Sequence, residues 1–303
     1  MTQPETADFA HKLRTNYRAL IPNAGAPDPV ADVREVLLPA RSPERTVPVR
    51  AYRSSSEAEA ALPVVVFVHG GGFVSGDLDT HDVLTRAIAG RAGALVLSVD
   101  YRLAPEHPFP AGVDDVVAVL DWAAEHADSL GGDPSRIVVS GDSAGGNLAA
   151  SAAMIARDRG GPDLSAQLLM YPSLSNKMDT PSWDSYGVAD THFPNRTIHG
   201  LGLAAYVPDG TSPFDPLVAP LWGEHGGLPP TLIQVGGHDP LRDECTDYAA
   251  ALESAGVAAR CRVYPGEEHG FIQFFKDRAA HPRGEEALQD AVAFLTENLS
   301  MRQ

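Results

Sequence analysis

Gly141-Asp142-Ser143-Ala144-Gly145 stands between the β-branched run Ile137-Val138-Val139 and an alanine-rich stretch from Asn147 to Arg157. A Gly-x-Ser-x-Gly string alone is weak evidence, since at about 7% per letter roughly one chain in ten of this length contains one by chance. Its flanks give it meaning. Strand, sharp bend and helix in succession hold a serine in a turn so tight that only small neighbours fit, with its Oγ above the carboxyl end of a sheet and next to a helix N-terminus. Gly141 and Gly145 permit the strand and helix to approach closely. On this reading Ser143 is a nucleophile; the plainer alternative is a strand-to-helix turn whose serine caps the helix.

Working outward, His69-Gly70-Gly71-Gly72 follows the apolar run Val64 to Val68. Such a glycine loop offers backbone NH groups free to face an anion. Similar short runs recur at Ala94 to Val99, Ile137 to Ser140, Gln167 to Tyr171, Thr231 to Val235 and Arg260 to Tyr264. Most are too continuously apolar to have a wet face, which fits buried parallel strands. Between them lie helical stripes: Leu84 and Ile88; Val113, Val116, Val117, Leu120 and Ala124; Leu241, Cys245, Tyr248, Ala249 and Leu252, ending at Gly256; and Leu288, Ala291, Val292 and Leu295. The alternation predicts an α/β fold built on a mostly parallel, doubly wound sheet whose ligand sites lie beyond the carboxyl ends of the strands. Ser143, the His69 loop, Asp239 and His269 all follow such strands.

A nucleophilic serine needs a base, and the base an orienting carboxylate. With the order serine, acid, histidine and Asp239 as the acid, His269 and His281 are the histidines that qualify. His269, in Gly266-Glu267-Glu268-His269-Gly270-Phe271, lies just past a strand and can swing toward the bend. His281 precedes a proline in a charged stretch and reads as solvated surface. Asp239 follows Thr231 to Val235 and Gly236-Gly237; Asp-Pro is also a good helix start, with the aspartate as cap and proline at the first position. One helix and one strand separate Asp239 from His269, which brings their loops side by side. Asp243 and Glu244 lie a turn further on and are poorer candidates.

Of 303 residues 44% are hydrophobic, enough for a large core, and we expect one domain over 1–303. Forty acidic against 23 basic residues give a formal charge of −17, which repels nucleic acid and anionic lipid. Met1 to Leu20 lacks the apolar centre of a secretory signal and no run approaches the roughly 18 apolar residues of a membrane span, so a soluble cytoplasmic protein is expected, with no nucleic-acid or membrane partner. Cys245 and Cys261 have no metal-binding spacing and read as small buried residues; neither a disulfide, a metal nor an organic cofactor is expected. Two stretches break the alternation: about residues 1–40, with a weak helical pattern from Phe9 to Leu20 and a proline-rich Ile21 to Pro29, and the Pro-, Asp-, Trp- and Tyr-rich 175–221. Neither reads as a strand, and the second is too long to be structureless, so both are expected to build a helical cap. Ser54 to Ala61 reads as an exposed hairpin or loop.

The chain resembles the hormone-sensitive lipase family of α/β-hydrolases, bacterial esterases included. The likeness rests on His69-Gly70-Gly71-Gly72-Phe73, Tyr101-Arg102-Leu103-Ala104-Pro105-Glu106, Gly141-Asp142-Ser143-Ala144-Gly145-Gly146-Asn147, Asp239-Pro240-Leu241-Arg242-Asp243-Glu244 and His269-Gly270-Phe271. It implies an α/β-hydrolase fold with a cap, the triad Ser143, His269 and Asp239, and an oxyanion hole from the NH groups of Gly71, Gly72 and Ala144. It also implies that His69 supports the glycine loop without acting as base, with Gly70 and Asp142 as further supporting residues, and it suggests a homodimer. The expected activity is hydrolysis of short- to medium-chain acyl esters through an acyl-enzyme. An amide or N-acetyl hydrolase or an acyltransferase would use the same triad, and a non-catalytic receptor of this fold remains a further alternative.

Overall fold

The structure is a computed structural model that describes residues 3–40, 45–54, 61–188 and 193–300. Most of the segment expected as an exposed loop, Ser54 to Ala61, lies outside them. One sheet is built from β1 (Asp32–Ala40), β2 (Arg45–Arg53), β3 (Leu62–Val68), β4 (Leu95–Val99), β5 (Gly132–Asp142), β6 (Ala166–Met170), β7 (Thr231–Gly236) and β8 (Ala259–Tyr264). Their order is β1-β2-β4-β3-β5-β6-β7-β8; β2 runs antiparallel to both its neighbours and the remaining pairings are parallel.

Side chains of β4, β6 and β7 are buried along their whole length, so both faces of the sheet are covered. The helices α2 (Asp82–Ala92) and α8 (Gly284–Leu299) pack together as one covering pair, α3 (Ala111–His126) and α4 (Ala144–Arg159) as another. The third stripe read from the sequence, Leu241 to Leu252, is α7 (Arg242–Ser254) against β7 and β8. At the edge, β8 keeps only Tyr264 fully buried, so its outer face is wet.

The cap expected over residues 1–40 is corrected at its end. Residues 32–40 are β1, and with β2 they extend the sheet. Val47, Val49 and Ala51 are buried in alternation with Thr46, Pro48 and Arg50, a period-two pattern that continuous apolar runs do not reveal. The rest of that segment is helical: α1 (Gln3–Arg18) and a short 3-10 turn, Ile21–Ala24. Over 175–221 the described residues hold α5 (Pro181–Tyr186), α6 (Arg196–Tyr206) and no strand. No helix among the described residues is long and apolar enough to cross a membrane, and no group of three or more His, Cys, Asp or Glu side chains among them could hold a metal.

Candidate active site

Strand β5 ends at Asp142 and α4 begins at Ala144, leaving Ser143 alone at the bend with φ 53° and ψ −119°. A non-glycine residue held there stores strain of about 1–3 kcal/mol, tolerated because its surroundings fix it. The Ser143 NH donates to the Met170 carbonyl at 2.8 Å, and its own carbonyl accepts from Asn147 at 3.1 Å and Ser173 at 3.3 Å. A side chain at Gly145 would collide with the Val68 and His69 carbonyls, so the sequence puts glycine where the helix passes closest to β3. Its hydroxyl caps nothing: no side-chain hydrogen bond is made at the start of α4, and the Oγ is turned toward His269.

His269 reaches back from the loop after β8. Its Nε2 lies 2.9 Å from Ser143 Oγ and its Nδ1 2.8 Å from Asp239 Oδ2. The Asp239 carboxylate is fully buried and the imidazole nearly so. The two loops are held side by side by the His238 NH donating to the Glu267 carbonyl at 2.9 Å. Asp239 also accepts the Leu241 NH on Oδ1 at 2.8 Å, but α7 begins at Arg242 with Leu241 at its cap and no side-chain cap bond, so Asp239 is not the helix cap that Asp-Pro also suggested. Asp243 and Glu244 point elsewhere: Asp243 accepts the Ser182 NH at 2.8 Å, and Glu244 the Leu174 NH at 2.6 Å. His281 is not the solvated surface residue expected; only 18% of its side chain is exposed, and its Nδ1 lies 3.3 Å from the buried Glu267.

The glycine loop faces the same place. Gly71 has φ +129°, in the range that favours glycine, and no backbone carbonyl among the described residues accepts the NH of Gly71, Gly72 or Ala144. Ala144 is the first residue of α4, where an NH has no partner inside the helix. His69 does not reach for Ser143. Its Nδ1 donates to the Gly70 carbonyl at 2.9 Å, its ring stacks on Tyr101 at 4.4 Å, and burial, aided by nearby His81, lowers its pKa to about 4. Gly70 donates its NH to Asp142 Oδ1 at 2.7 Å, and the same oxygen lies 3.1 Å from His81 Nε2.

Several residues bracing this loop escaped the sequence reading. Tyr101 donates its hydroxyl to the His69 carbonyl at 3.0 Å, and Arg102 pairs with the buried Asp115 at 2.9 Å, which gives the Tyr101-Arg102 block a structural task. From α1, Arg14 donates to the Val74 and Ala104 carbonyls and binds Glu106 at 2.7 Å, while Arg18 pairs with Asp77. Tyr17 of the same helix donates to Gln273 at 2.9 Å. Tyr101, Arg102, Ala104 and Glu106 stand in one motif block, but their partners His69, Asp115 and Arg14 lie elsewhere in the chain at no recognisable spacing.

A narrow cavity of about 20 Å³ opens beside Ser143, between Gly72, Phe73, Ala144 and Ser173 below and Leu13, Phe193, Ile198, His199 and Gly202 above. Its upper wall comes from α1, α6 and the residues just before α6, within the two segments expected to cap the site. A larger, open groove of about 490 Å³ runs along α3 beside Pro39 and Arg159 and includes none of these residues.

A family model described as an α/β-hydrolase fold matches residues 65–273. The carboxylesterase NlhH of Mycobacterium tuberculosis is 47% identical over 253 residues, covering 79% of this chain and 78% of the relative. The carboxylic ester hydrolase LipN of the same organism is 42% identical over 269 residues, 87% of this chain and 70% of the relative. Among solved structures, the thermostable carboxylesterase EstE1 from a metagenomic library superimposes with a TM-score of 0.89 at 36% identity over 98% of each chain. An esterase of Pyrobaculum calidifontis does so with 0.88 at 35% identity, covering 96% of this chain and 93% of that one. The chain belongs to the α/β-hydrolase family, in its branch related to hormone-sensitive lipase.

Proposed function

We propose that this protein is a serine carboxylesterase acting on esters of short to medium acyl chains through an acyl-enzyme, with Ser143 as nucleophile, His269 as general base and acid, and Asp239 as orienting carboxylate. The unbroken chain of contacts from Ser143 Oγ through both imidazole nitrogens to Asp239, at 2.9 and 2.8 Å, carries this reading. The esterase names of the relatives support it.

In the first step His269 takes the proton of Ser143 as Oγ adds to the ester carbonyl. The negative oxygen is received by the NH groups of Gly71, Gly72 and Ala144, which are already aimed and cost no reorganisation as charge develops. His269 then protonates the leaving alcohol. Water, activated by the same imidazole, attacks the acyl-serine and frees the acid. Asp239 holds the tautomer with its proton on Nδ1 and stabilises the imidazolium without accepting the proton. The helices α1, α5 and α6 form the cap over this chemistry.

Pre-steady-state mixing with 4-nitrophenyl butanoate tests the assignment. The wild type is expected to take up a fluorophosphonate on Ser143 and to hydrolyse the ester; Ser143→Ala should lose labelling and about 10⁶-fold in turnover while keeping its thermal transition. Near wild-type hydrolysis by that variant would refute the nucleophile.

A further inference from the structure

Two polar side chains in the wall of the Ser143 cavity have no task in the acyl-transfer steps. Ser173 is held by its own NH, which donates to the Ser143 carbonyl at 3.3 Å, and by its carbonyl, which accepts from Asn147 at 2.8 Å. Its hydroxyl is enclosed and meets no hydrogen-bond partner among the described residues. From α6, His199 borders the same cavity with its ring 5.0 Å from that of Trp183. Burial, with the neighbouring His269 adding to it, lowers its pKa to about 4, and no carboxylate or carbonyl among the described residues bonds its ring. At working pH it is therefore a neutral imidazole with one donor and one acceptor. Buried polar groups are nearly always satisfied, and the orphan hydroxyl of Ser173, with the His199 ring lining the same cavity, marks a place where a ligand supplies the missing bond.

We propose that Ser173 and His199 form a polar subsite for a second oxygen of the substrate, so that the protein prefers esters bearing a hydroxyl, ether or keto group a few bonds from the scissile carbonyl. The inference rests on the esterase reading above and deepens it. The rest of the wall, Leu13, Phe73, Phe193 and Ile198, suits hydrocarbon. An all-hydrocarbon ester would seal both polar groups away from water without partners, whereas a substrate hydroxyl can give and accept a bond at once. Anionic substrates are disfavoured, because neither polar group is cationic and the protein carries a formal charge of −17.

The test compares kcat/KM within two isosteric pairs. On the acyl side the pair is 4-nitrophenyl 3-hydroxybutanoate and 4-nitrophenyl 3-methylbutanoate; on the alcohol side it is 2-hydroxyethyl butanoate and propyl butanoate. The wild type is expected to favour the hydroxylated member of at least one pair by about tenfold, and Ser173→Ala and His199→Phe each to reduce that ratio by about threefold to tenfold, the worth of one hydrogen bond. His199→Asn, which keeps a donor and an acceptor, should retain the preference. The pair that responds tells which side of the ester occupies the subsite. Ratios that are the same in the wild type, Ser173→Ala and His199→Phe for both pairs would overturn the proposal. Ser173→Ala removes one atom from the wall and keeps the ratio readable should His199→Phe not accumulate. Turnover of the hydrocarbon members by the wild type reports separately on the esterase reading.

Discussion

The carboxylate of Asp239 divides its oxygens between the Leu241 NH and the His269 ring, so two substitutions separate its tasks. Asp239→Asn keeps an oxygen for Leu241 but offers the wrong group to Nδ1; kcat for 4-nitrophenyl butanoate should fall by about 10⁴ with little change in melting temperature. Asp239→Ala should lose as much activity and a further ~1 kcal/mol of stability, read by urea unfolding, because the buried Leu241 NH loses its acceptor. At the same scale Asp142, inside the serine motif, ties Gly70 to His81 and faces away from the chemistry. Removing it as Asp142→Ala should destabilise the fold by about 1–3 kcal/mol, since the buried Gly70 NH is left without its acceptor, and lower kcat through the slackened glycine loop. The motif marks Asp142 as special but gives no hint of its partner, since His81 is set by how α2 enters the fold.

At the scale of elements, α6 meets the His69–Gly72 loop at one glycine. A Cβ at Gly202 would lie 2.9 Å from the Gly72 carbonyl, and Tyr206 of the same helix stacks on Phe73 with ring centres 4.0 Å apart. Gly202→Ala should therefore pit a helix-propensity gain of about 1 kcal/mol against a shove on the loop whose NH groups we propose receive the oxyanion. We expect a melting temperature near that of the wild type and a fall in kcat approaching 10²-fold, the cost of about 1 Å of misplacement. Unchanged kcat would mean that α6 yields without moving Gly72. The helices of this segment were foreseeable from its length and composition, but their seat on the loop was not, because it depends on a contact between positions 72 and 202.

For the whole molecule, three buried groups set a stability profile with pH. Burial, more than neighbouring His81 or His269, depresses His69 and His199 from 6.5 to about 4; burial, with Asp239 adding to it, raises Glu244 from 4.5 to about 8. Between pH 4 and 6.5 the unfolded chain protonates both histidines while the folded one does not, so stability rises with pH there. Between pH 4.5 and 8 the folded chain keeps a proton on Glu244 that the unfolded chain has lost, so that contribution declines as pH rises. Two histidines outweigh one glutamate up to about pH 6.5, and above it the glutamate acts alone. The melting temperature is expected to peak near pH 6.5 and decline toward pH 8, and Glu244→Gln should flatten the alkaline side. A parent profile level from pH 6.5 to 8 would contradict this.

Local chemistry made much of this protein legible from its residues. A tight bend flanked by a β-branched run and an alanine-rich helix can place a serine in few ways, and the buried parallel strands announced themselves as continuous apolar runs, so β3 to β8, Ser143, His269 and Asp239 follow from short-range pattern and chain order. β1 and β2 escaped because a strand with one wet face hides its signal in alternation. Tertiary structure alone decided the rest: which side chains brace the glycine loop from α1 and α2, how α6 seats on it, and which polar side chains come to line the cavity. Those facts depend on contacts between distant segments, whose energies arise only when the sheet has brought them together.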